Sequence, residues 1–175
     1  MGLRFRPGAL PRLLGVPAAE LRNSRVRLTE LGIEVPGRSL VELATALASG
    51  DPAAETAPWP LPLLSHVTRR LATGAVITDV ARQIGWSSRT LQRQCAAVYG
   101  YGPATLRRIL RFRRAVRLLD DGASCAQTAA AAGYADQPHL HREVRDLGGM
   151  SLASLRQANA ANRSIDVPSG SVTVA

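Results

Sequence analysis

The sequence is poor in aromatic residues and in cysteine, and it contains no lysine at all. Aromatic residues make up 4% of the 175 residues, although 46% of the residues are hydrophobic. A core of Leu, Val, Ile and Ala suits packed helices better than a β-sandwich, which draws on aromatic and β-branched residues. We therefore expect a mainly α fold, either as one ordinary domain or as a domain of about 100 residues with a smaller neighbour.

Long apolar runs and cysteine patterns are also missing. No run reaches the roughly 20 apolar residues of a membrane-spanning helix, and the N-terminus lacks the apolar segment of a signal peptide. The two cysteines, Cys95 and Cys125, are too few for a disulfide framework or a zinc site. We therefore expect reduced, buried cysteines, no membrane partner and a cytoplasmic location.

Positive charge is concentrated in the second part of the chain. The net charge is +9, and all 22 basic residues are arginines. Residues 1–57 hold seven arginines against six acidic residues, whereas residues 58–175 hold fifteen against seven. A localised positive excess is typical of a protein with a polyanionic partner. A solvated basic surface that only maintains solubility is the alternative explanation.

Residues 1–57 form a small N-terminal segment that we expect to be mostly helical. The positions of glycine and proline in this segment predict short helices at residues 7–14, 17–23 and 39–48. Helices of this length are marginal alone and must pack against other parts of the protein.

Proline content marks the boundary that follows this segment. Residues 51–63 contain four prolines and little periodicity, which is typical of a linker. Helical periodicity then resumes at Leu63, so we assign residues 58–161 to a second domain. Residues 162–175 have no pattern, and we expect a disordered tail.

A helix-turn-helix pattern occupies the start of the second domain. Thr78 is a candidate N-cap of its first helix, and Gly85 ends that helix in a left-handed turn. Ser87 or Ser88 then caps a second helix. The small Ala81, four residues before Gly85, allows the close helix packing that this motif needs.

The second helix of this motif has two distinct faces. Its inward positions are apolar, and they are Leu91, Cys95 and Val98. Arg and Gln side chains on the outer face match the edges of guanine and adenine in the major groove. The candidate DNA-contacting residues here are Ser88, Arg89, Gln92 and Arg93.

The same pattern returns after Gly122. Ala129 precedes Gly133 by four residues, and Asp136 is a candidate N-cap for the helix that follows. The two glycines of the paired motifs are 48 residues apart, and a tandem match is much less frequent by chance than a single one. The candidate DNA-contacting residues of this second motif are Gln137, His139, His141 and Arg142.

An arginine-rich helix is predicted between the two motifs, from Pro103 to Leu119. A helix of about 17 residues spans roughly 25 Å. It could hold two recognition helices near the spacing of roughly 34 Å that separates successive major grooves. Some of its six arginines are expected to pair with local acids, and we assign Arg108 and Arg111 to DNA phosphates.

These motifs together resemble a known family. The residues that carry the resemblance are Leu91-Gln92-Arg93, Gly100-Tyr101, Arg113, Leu118-Leu119, Gly133-Tyr134, Leu140, Arg142, Gly149-Met150 and Arg156. Residues 63–156 are similar to the C-terminal DNA-binding domain of AraC/XylS-family transcription regulators. The resemblance implies two helix-turn-helix units joined by a long linker helix, with double-stranded DNA as the partner and RNA polymerase as a candidate second partner. It also implies that both sets of outward-facing residues enter the major groove.

The chain departs from the family pattern at several core positions. Thr128 replaces a large apolar residue, and Cys95 and Val144 stand where phenylalanine is typical. Pro138 falls in the first turn of the second recognition helix, and Ser151-Leu152 replaces a Thr-Pro pair. These changes reduce buried volume, so we expect the second unit to contribute less base recognition than the first.

The N-terminal segment resembles the end of a sensor domain found in some actinobacterial-type members of this family. The β-barrel half of such a sensor would precede Met1, so we expect residues 1–57 to be a sensor remnant that does not sense a ligand. An alternative function follows from this expectation. The chain would then be a sensor-less regulatory or protein-interaction fragment that competes for sites or binds a partner subunit.

No residue pattern favours catalysis or a cofactor. His139 and His141 are two residues apart on a helix and point in different directions, which makes a poor metal site. A nucleophilic Cys95 or Cys125 would need a histidine beside it in an open cleft. We expect no enzymatic activity and no cofactor, and the sequence identifies no effector.

Overall fold

The computed structural model describes residues 4–5, 8–34, 39–49, 59–157 and 173–174. Helices dominate these residues, and they form two compact units. The first unit comprises Met1–Arg69, Val76–Pro103 and Ser169–Ala175. The second comprises Arg70–Ala75 and Ala104–Pro168, so each unit contains one helix-turn-helix motif.

The first unit begins with short elements. Its N-terminal segment contains strand β1 (Arg4–Phe5), helices α1 (Ala9–Leu14) and α2 (Ala18–Leu21), a 3-10 helix (Leu28–Leu31) and helix α3 (Leu40–Ser49). Strand β1 pairs in parallel with β2 (Thr173–Val174). Helices α1 and α3 contact each other, which agrees with the expectation that such short helices need packing partners.

The remaining helices of the first unit form the motif and its support. They are α4 (Leu61–Ala72), whose last turn passes into the second unit, α5 (Ile77–Gln83) and α6 (Ser88–Tyr99). Both α1 and α2 contact α6, so the N-terminal segment packs directly on the second helix of the motif. The buried residues of the first unit include Trp59, Leu64, Val67, Val80 and Leu91.

The second unit is built from α7 (Pro103–Asp120), α8 (Cys125–Ala132) and α9 (Gln137–Gly148), followed by helical residues 152–157. One apolar cluster holds these helices together. Its buried members are Ala115, Leu119, Ala129, Ala132, Tyr134, Leu140, Val144 and Leu152. Small alanines on α8 allow close packing against α9, which is the packing that this motif requires.

The structure confirms a mainly α fold with two helix-turn-helix motifs joined in sequence by a long helix, after a small helical N-terminal segment. The linker prediction was partly wrong, because Trp59 is 2% exposed and α4 begins at Leu61. Residues 51–58 lie outside the described residues. So does the tail predicted at 162–175, apart from Thr173 and Val174. The predicted domain boundary at residues 57 and 58 stays a prediction.

Candidate nucleic-acid interface

Local geometry in the first motif comes from one glycine and one serine. Gly85 has a φ of 71°, the left-handed conformation that favours glycine, and it turns the chain after α5. The Ser87 hydroxyl accepts a hydrogen bond of 3.1 Å from the backbone N–H of Thr90 and caps α6. The predicted Thr78 cap was wrong, because α5 begins at Ile77 and its N-cap is Val76, two residues before Thr78, with no side-chain cap.

Helix α6 separates an apolar face from a polar one. Leu91 and Cys95 are 0% exposed and Val98 is 3% exposed, which confirms their inward positions. The predicted DNA-contacting residues of this helix are exposed, and they are Ser88, Arg89, Gln92 and Arg93. The helix therefore presents two guanidinium groups, one amide and one hydroxyl outside a fully buried apolar stripe.

An aromatic cluster supports α6 from behind. The ring of Trp59 meets Trp86 edge to face at 5.2 Å and Tyr99 at 5.7 Å. The Tyr99 hydroxyl hydrogen-bonds to Thr68 at 2.8 Å and donates to the carbonyl oxygen of Leu64 at 3.3 Å. Edge-to-face pairs add stability beyond the area they bury. Tyr99 thus joins the C-terminal end of α6 to α4, and Trp86, two residues before α6, packs on Trp59, two residues before α4.

Gln92 is constrained by a glycine that follows α6. The side-chain amide of Gln92 lies so close to Gly102 that a Cβ on this glycine would overlap it. Glycine at position 102 therefore provides the space that the Gln92 side chain occupies. Because Gln92 remains exposed, its amide could rotate outward toward a partner.

Cys95 has no nucleophilic character in this environment. Burial of its side chain raises the pKa of the thiol to about 12. The thiol is therefore protonated at neutral pH, and a protonated thiol is a poor nucleophile. Cys95 serves as a small apolar residue in the packing of α6.

The second motif repeats this local chemistry with stronger caps. The Ser124 hydroxyl accepts from the backbone N–H of Gln127, and the Gln127 side chain accepts from the backbone N–H of Ser124. This reciprocal pair is a capping box at the start of α8. Gly133 follows α8 with a φ of 80°, and Asp136 caps α9 by accepting from His139 N–H at 2.7 Å. The predicted Asp136 cap is therefore confirmed.

Helix α9 exposes three of its four predicted DNA-contacting residues. Gln137, His141 and Arg142 are exposed, opposite the buried Leu140. His139 differs from them because it is half-buried. Its ring meets Tyr134 edge to face at 5.1 Å, and its Nδ1 accepts from the backbone N–H of Ala135 at 3.4 Å. His139 thus packs against the turn of its own motif, and its DNA contact stays a prediction.

A buried carboxylate links α9 to the arginine-rich helix. Glu143 is 7% exposed, and one of its oxygens accepts from Arg108 Nη2 at 2.7 Å and from Arg108 Nε at 3.0 Å. Its other oxygen lies 3.4 Å from Arg111 Nη2. The Arg111 guanidinium also lies over the ring of Tyr134, 4.6 Å from its centre. One acid therefore fixes two arginines of α7 against α9.

The charge state of Glu143 follows from these partners. Burial by itself raises the pKa of a carboxyl group, but the hydrogen bond and charge of Arg108, together with Arg111, outweigh burial. The net result is that the pKa of Glu143 is lowered from 4.5. The carboxylate is therefore ionised at neutral pH and holds its arginines as a charged group.

The arginines of α7 fall into two classes. Arg108 and Arg111, which the sequence assigned to DNA phosphates, are both engaged with Glu143. Arg108 still has a side chain that is 44% exposed, so its phosphate contact stays a prediction, as does that of Arg111. None of the ion pairs among the described residues involves the other four arginines, which are Arg107, Arg113, Arg114 and Arg117.

Sequence reasoning missed Glu143 and Trp59. Glu143 lies three residues after the apolar Leu140 and directly before Val144, so its helical position points inward. An acidic residue at an inward position, with an arginine-rich helix nearby in sequence, was the available signal. The prolines around Trp59 predicted a linker, so its buried position was not anticipated.

Two other kinds of site are absent from the described residues. In these parts of the chain, no group of three His, Cys, Asp or Glu side chains lies close enough together to hold a metal ion. No helix within the described ranges combines the length and the apolar character needed to cross a bilayer.

Comparison with known proteins agrees with this geometry. Residues 80–158 match the family model of a helix-turn-helix domain. The fold is also similar to the crystal structure of a transcriptional regulator from Chromobacterium violaceum, described as an AraC-type DNA-binding domain-containing protein. The TM-score is 0.51 at 25% sequence identity, over 56% of this chain and 88% of that chain. Among curated proteins, no relative matches the chain.

Proposed function

We propose that the chain is a DNA-binding transcription regulator that recognises specific double-stranded DNA sequences, because residues 80–158 match a helix-turn-helix family model and the fold is similar to that of an AraC-type regulator. Domains of this kind bind DNA and are not an enzyme family. Binding to chromosomal DNA would place the protein in the cytoplasm, with RNA polymerase as a candidate second partner.

One observation carries the proposal. Arg89, Gln92 and Arg93 are exposed together on α6, while the opposite face of the same helix is buried and braced by aromatic residues. Arginine binds guanine through two hydrogen bonds in the major groove, and glutamine binds adenine in the same manner. Because the opposite face of α6 is already packed, the helix and its side chains lose little conformational freedom when they bind DNA.

The second motif has a supporting role in this proposal. Gln137, His141 and Arg142 would contact the same duplex, and Arg108 and Arg111 of α7 would bind phosphates and set the register. A hydroxyl-radical footprint tests this part, because two engaged units protect two successive grooves about 10 base pairs apart. Protection of a single groove would restrict recognition to α6.

A salt titration of duplex binding separates this function from its alternative. A DNA-binding protein loses affinity as salt rises because counterions return to the phosphates, with a logarithmic slope of about −0.9 for each phosphate contact. We expect a slope that corresponds to several contacts. A regulatory fragment that acts only through protein partners would bind duplex weakly at every salt concentration, and that result would overturn the proposal.

A further inference from the structure

A cleft within the second unit is lined by arginines. Its volume is about 420 Å³, and it lies between α7, residues 71–74 and residues 130–133 at the end of α8. Arg107, Arg111 and Arg114 all line it. These positions are separated by four and three residues, which places them on one face of α7.

The positive charge in this cleft has little compensation. Among the described residues that line the cleft, none is acidic. Arg111 is paired with Glu143, but no ion pair within the described parts of the chain includes Arg107 or Arg114. Three guanidinium groups therefore share one concave surface with a single carboxylate partner, and that carboxylate also binds Arg108.

Arg111 adds an independent sign that an acceptor is missing. Its guanidinium is fixed by Glu143 and by the ring of Tyr134. Its Nε is buried and has no hydrogen-bond partner among the described residues. Buried donors are nearly always paired in folded proteins, so each exception needs an explanation. Arg111 lines the cleft, so an anion seated there could accept from this donor once the side chain rotates to expose it.

We propose that this arginine cleft binds a phosphate group. The planar guanidinium groups of arginine suit phosphate oxygens, and three of them exceed the charge that Glu143 can neutralise. The volume falls within the range of small-molecule sites, so a phosphorylated small molecule fits as well as the phosphate alone. Of the residues predicted to contact DNA, only Arg111 lines this cleft, so the site extends beyond the proposed base recognition.

The test is a titration of the full chain, labelled with ¹⁵N in its arginine side chains, with inorganic phosphate and then pyrophosphate. Ionic strength is held constant with sodium chloride. We expect saturable shifts in the Nε–H resonances of Arg107, Arg111 and Arg114. Replacement of Arg114 by Gln (R114Q) or of Arg107 by Gln (R107Q) should weaken phosphate binding about ten-fold, because each removes charge-assisted hydrogen bonds.

Arg113→Gln is the matched control, since it removes the same charge from the neighbouring position of α7 and Arg113 does not line the cleft. Its phosphate affinity should stay within two-fold of the parent chain. Circular dichroism of each variant shows whether α7 is intact. Because Arg114 is exposed, R114Q should fold normally and keep the test interpretable.

A second arm identifies the source of the phosphate. Duplex DNA is added to the phosphate-saturated chain. If the cleft holds a backbone phosphate, the duplex displaces inorganic phosphate and R114Q lowers the salt slope of duplex binding by about one. If the cleft takes a free phosphorylated molecule, both ligands bind together. Either result supports a phosphate site and leaves base recognition by α6 as a separate question.

Three results would overturn the proposal. The resonances could shift linearly without saturation, or they could shift equally with sodium chloride alone. Alternatively, R113Q could weaken phosphate binding as much as R114Q. Any of these would mean that the cleft attracts anions only through the general charge of the surface.

Discussion

Arg108 and Glu143 lie 35 residues apart in the sequence, yet Arg108 Nη2 and Glu143 Oε1 are 2.7 Å apart. The contact joins α7 to the buried face of α9. Arg108 uses two nitrogens on the same carboxylate, so the pair fixes orientation as well as distance. The position of the second recognition helix on its own scaffold therefore depends on a charged contact in addition to apolar packing.

Glu143→Gln should destabilise the second unit by about 1–3 kcal/mol, because two arginines lose their charged partner. The half-exposed Arg108 regains water, which keeps the loss below that of a fully buried pair. Chemical denaturation followed by circular dichroism measures the change. Asp146→Asn is the control, since Asp146 is 63% exposed and lies 3.7 Å from Arg108. An equal loss in both variants would contradict a special role for Glu143.

Stability should also depend on pH through Glu143. Its pKa in the folded state is lowered from 4.5, so its contribution is fully present above pH 4.5 and is lost as pH falls through the lower folded value. Denaturation of the parent chain and of E143Q at several pH values isolates this group. The two free energies of unfolding should converge below pH 4.5. A constant difference across the range would show that Glu143 does not titrate as proposed.

Thr128→Val should stabilise the protein. Thr128 is 0% exposed, and its hydroxyl has no hydrogen-bond partner among the described residues. Valine keeps the shape and removes the unpaired polar group, for a gain of about 1 kcal/mol, or about 2–4 °C in melting temperature. Calorimetry measures the shift. Thr128→Ser keeps the hydroxyl and removes a methyl group, so it should lower the melting temperature; a loss in both variants would mean that the hydroxyl is satisfied.

Local chemistry was the part of this structure that the sequence predicted well. Asp136, Gly85 and Gly133 were expected at turns and caps and are found there, because each acts through its own backbone neighbourhood. Ser87 was one of two expected caps, and it is the one that the structure selects. The Thr78 cap failed by two positions, since the N-cap of α5 is Val76, whose apolar side chain makes no capping hydrogen bond.

Contacts between distant segments were the part that could not be predicted. Trp59 was assigned to a linker because prolines surround it, but its ring packs against Trp86 and Tyr99. Glu143 finds its partners 35 and 32 residues earlier in the chain. Periodicity describes which face of a helix is buried, whereas the identity of the partner depends on how helices pack together.

Arg93→Ala should cost about 1–3 kcal/mol of binding at a cognate site and relax preference at one base pair. Competition binding with duplexes that differ at single positions measures both effects. Arg82→Ala is the matched control, since Arg82 lies on α5, is exposed and pairs with Asp79 at 2.9 Å. If Arg93→Ala weakened binding to all sequences equally, Arg93 would be a phosphate contact and would not read a base.

Selection of bound sequences from a random duplex pool tests base recognition by α6 most directly. The parent chain should enrich a defined motif, and Arg89→Ala, Gln92→Ala and Arg93→Ala should each lose preference at different positions of that motif. Circular dichroism of each variant confirms that α6 remains folded. If the folded parent chain enriched no motif, or if the three variants enriched the same motif as the parent, recognition of bases by α6 would be contradicted.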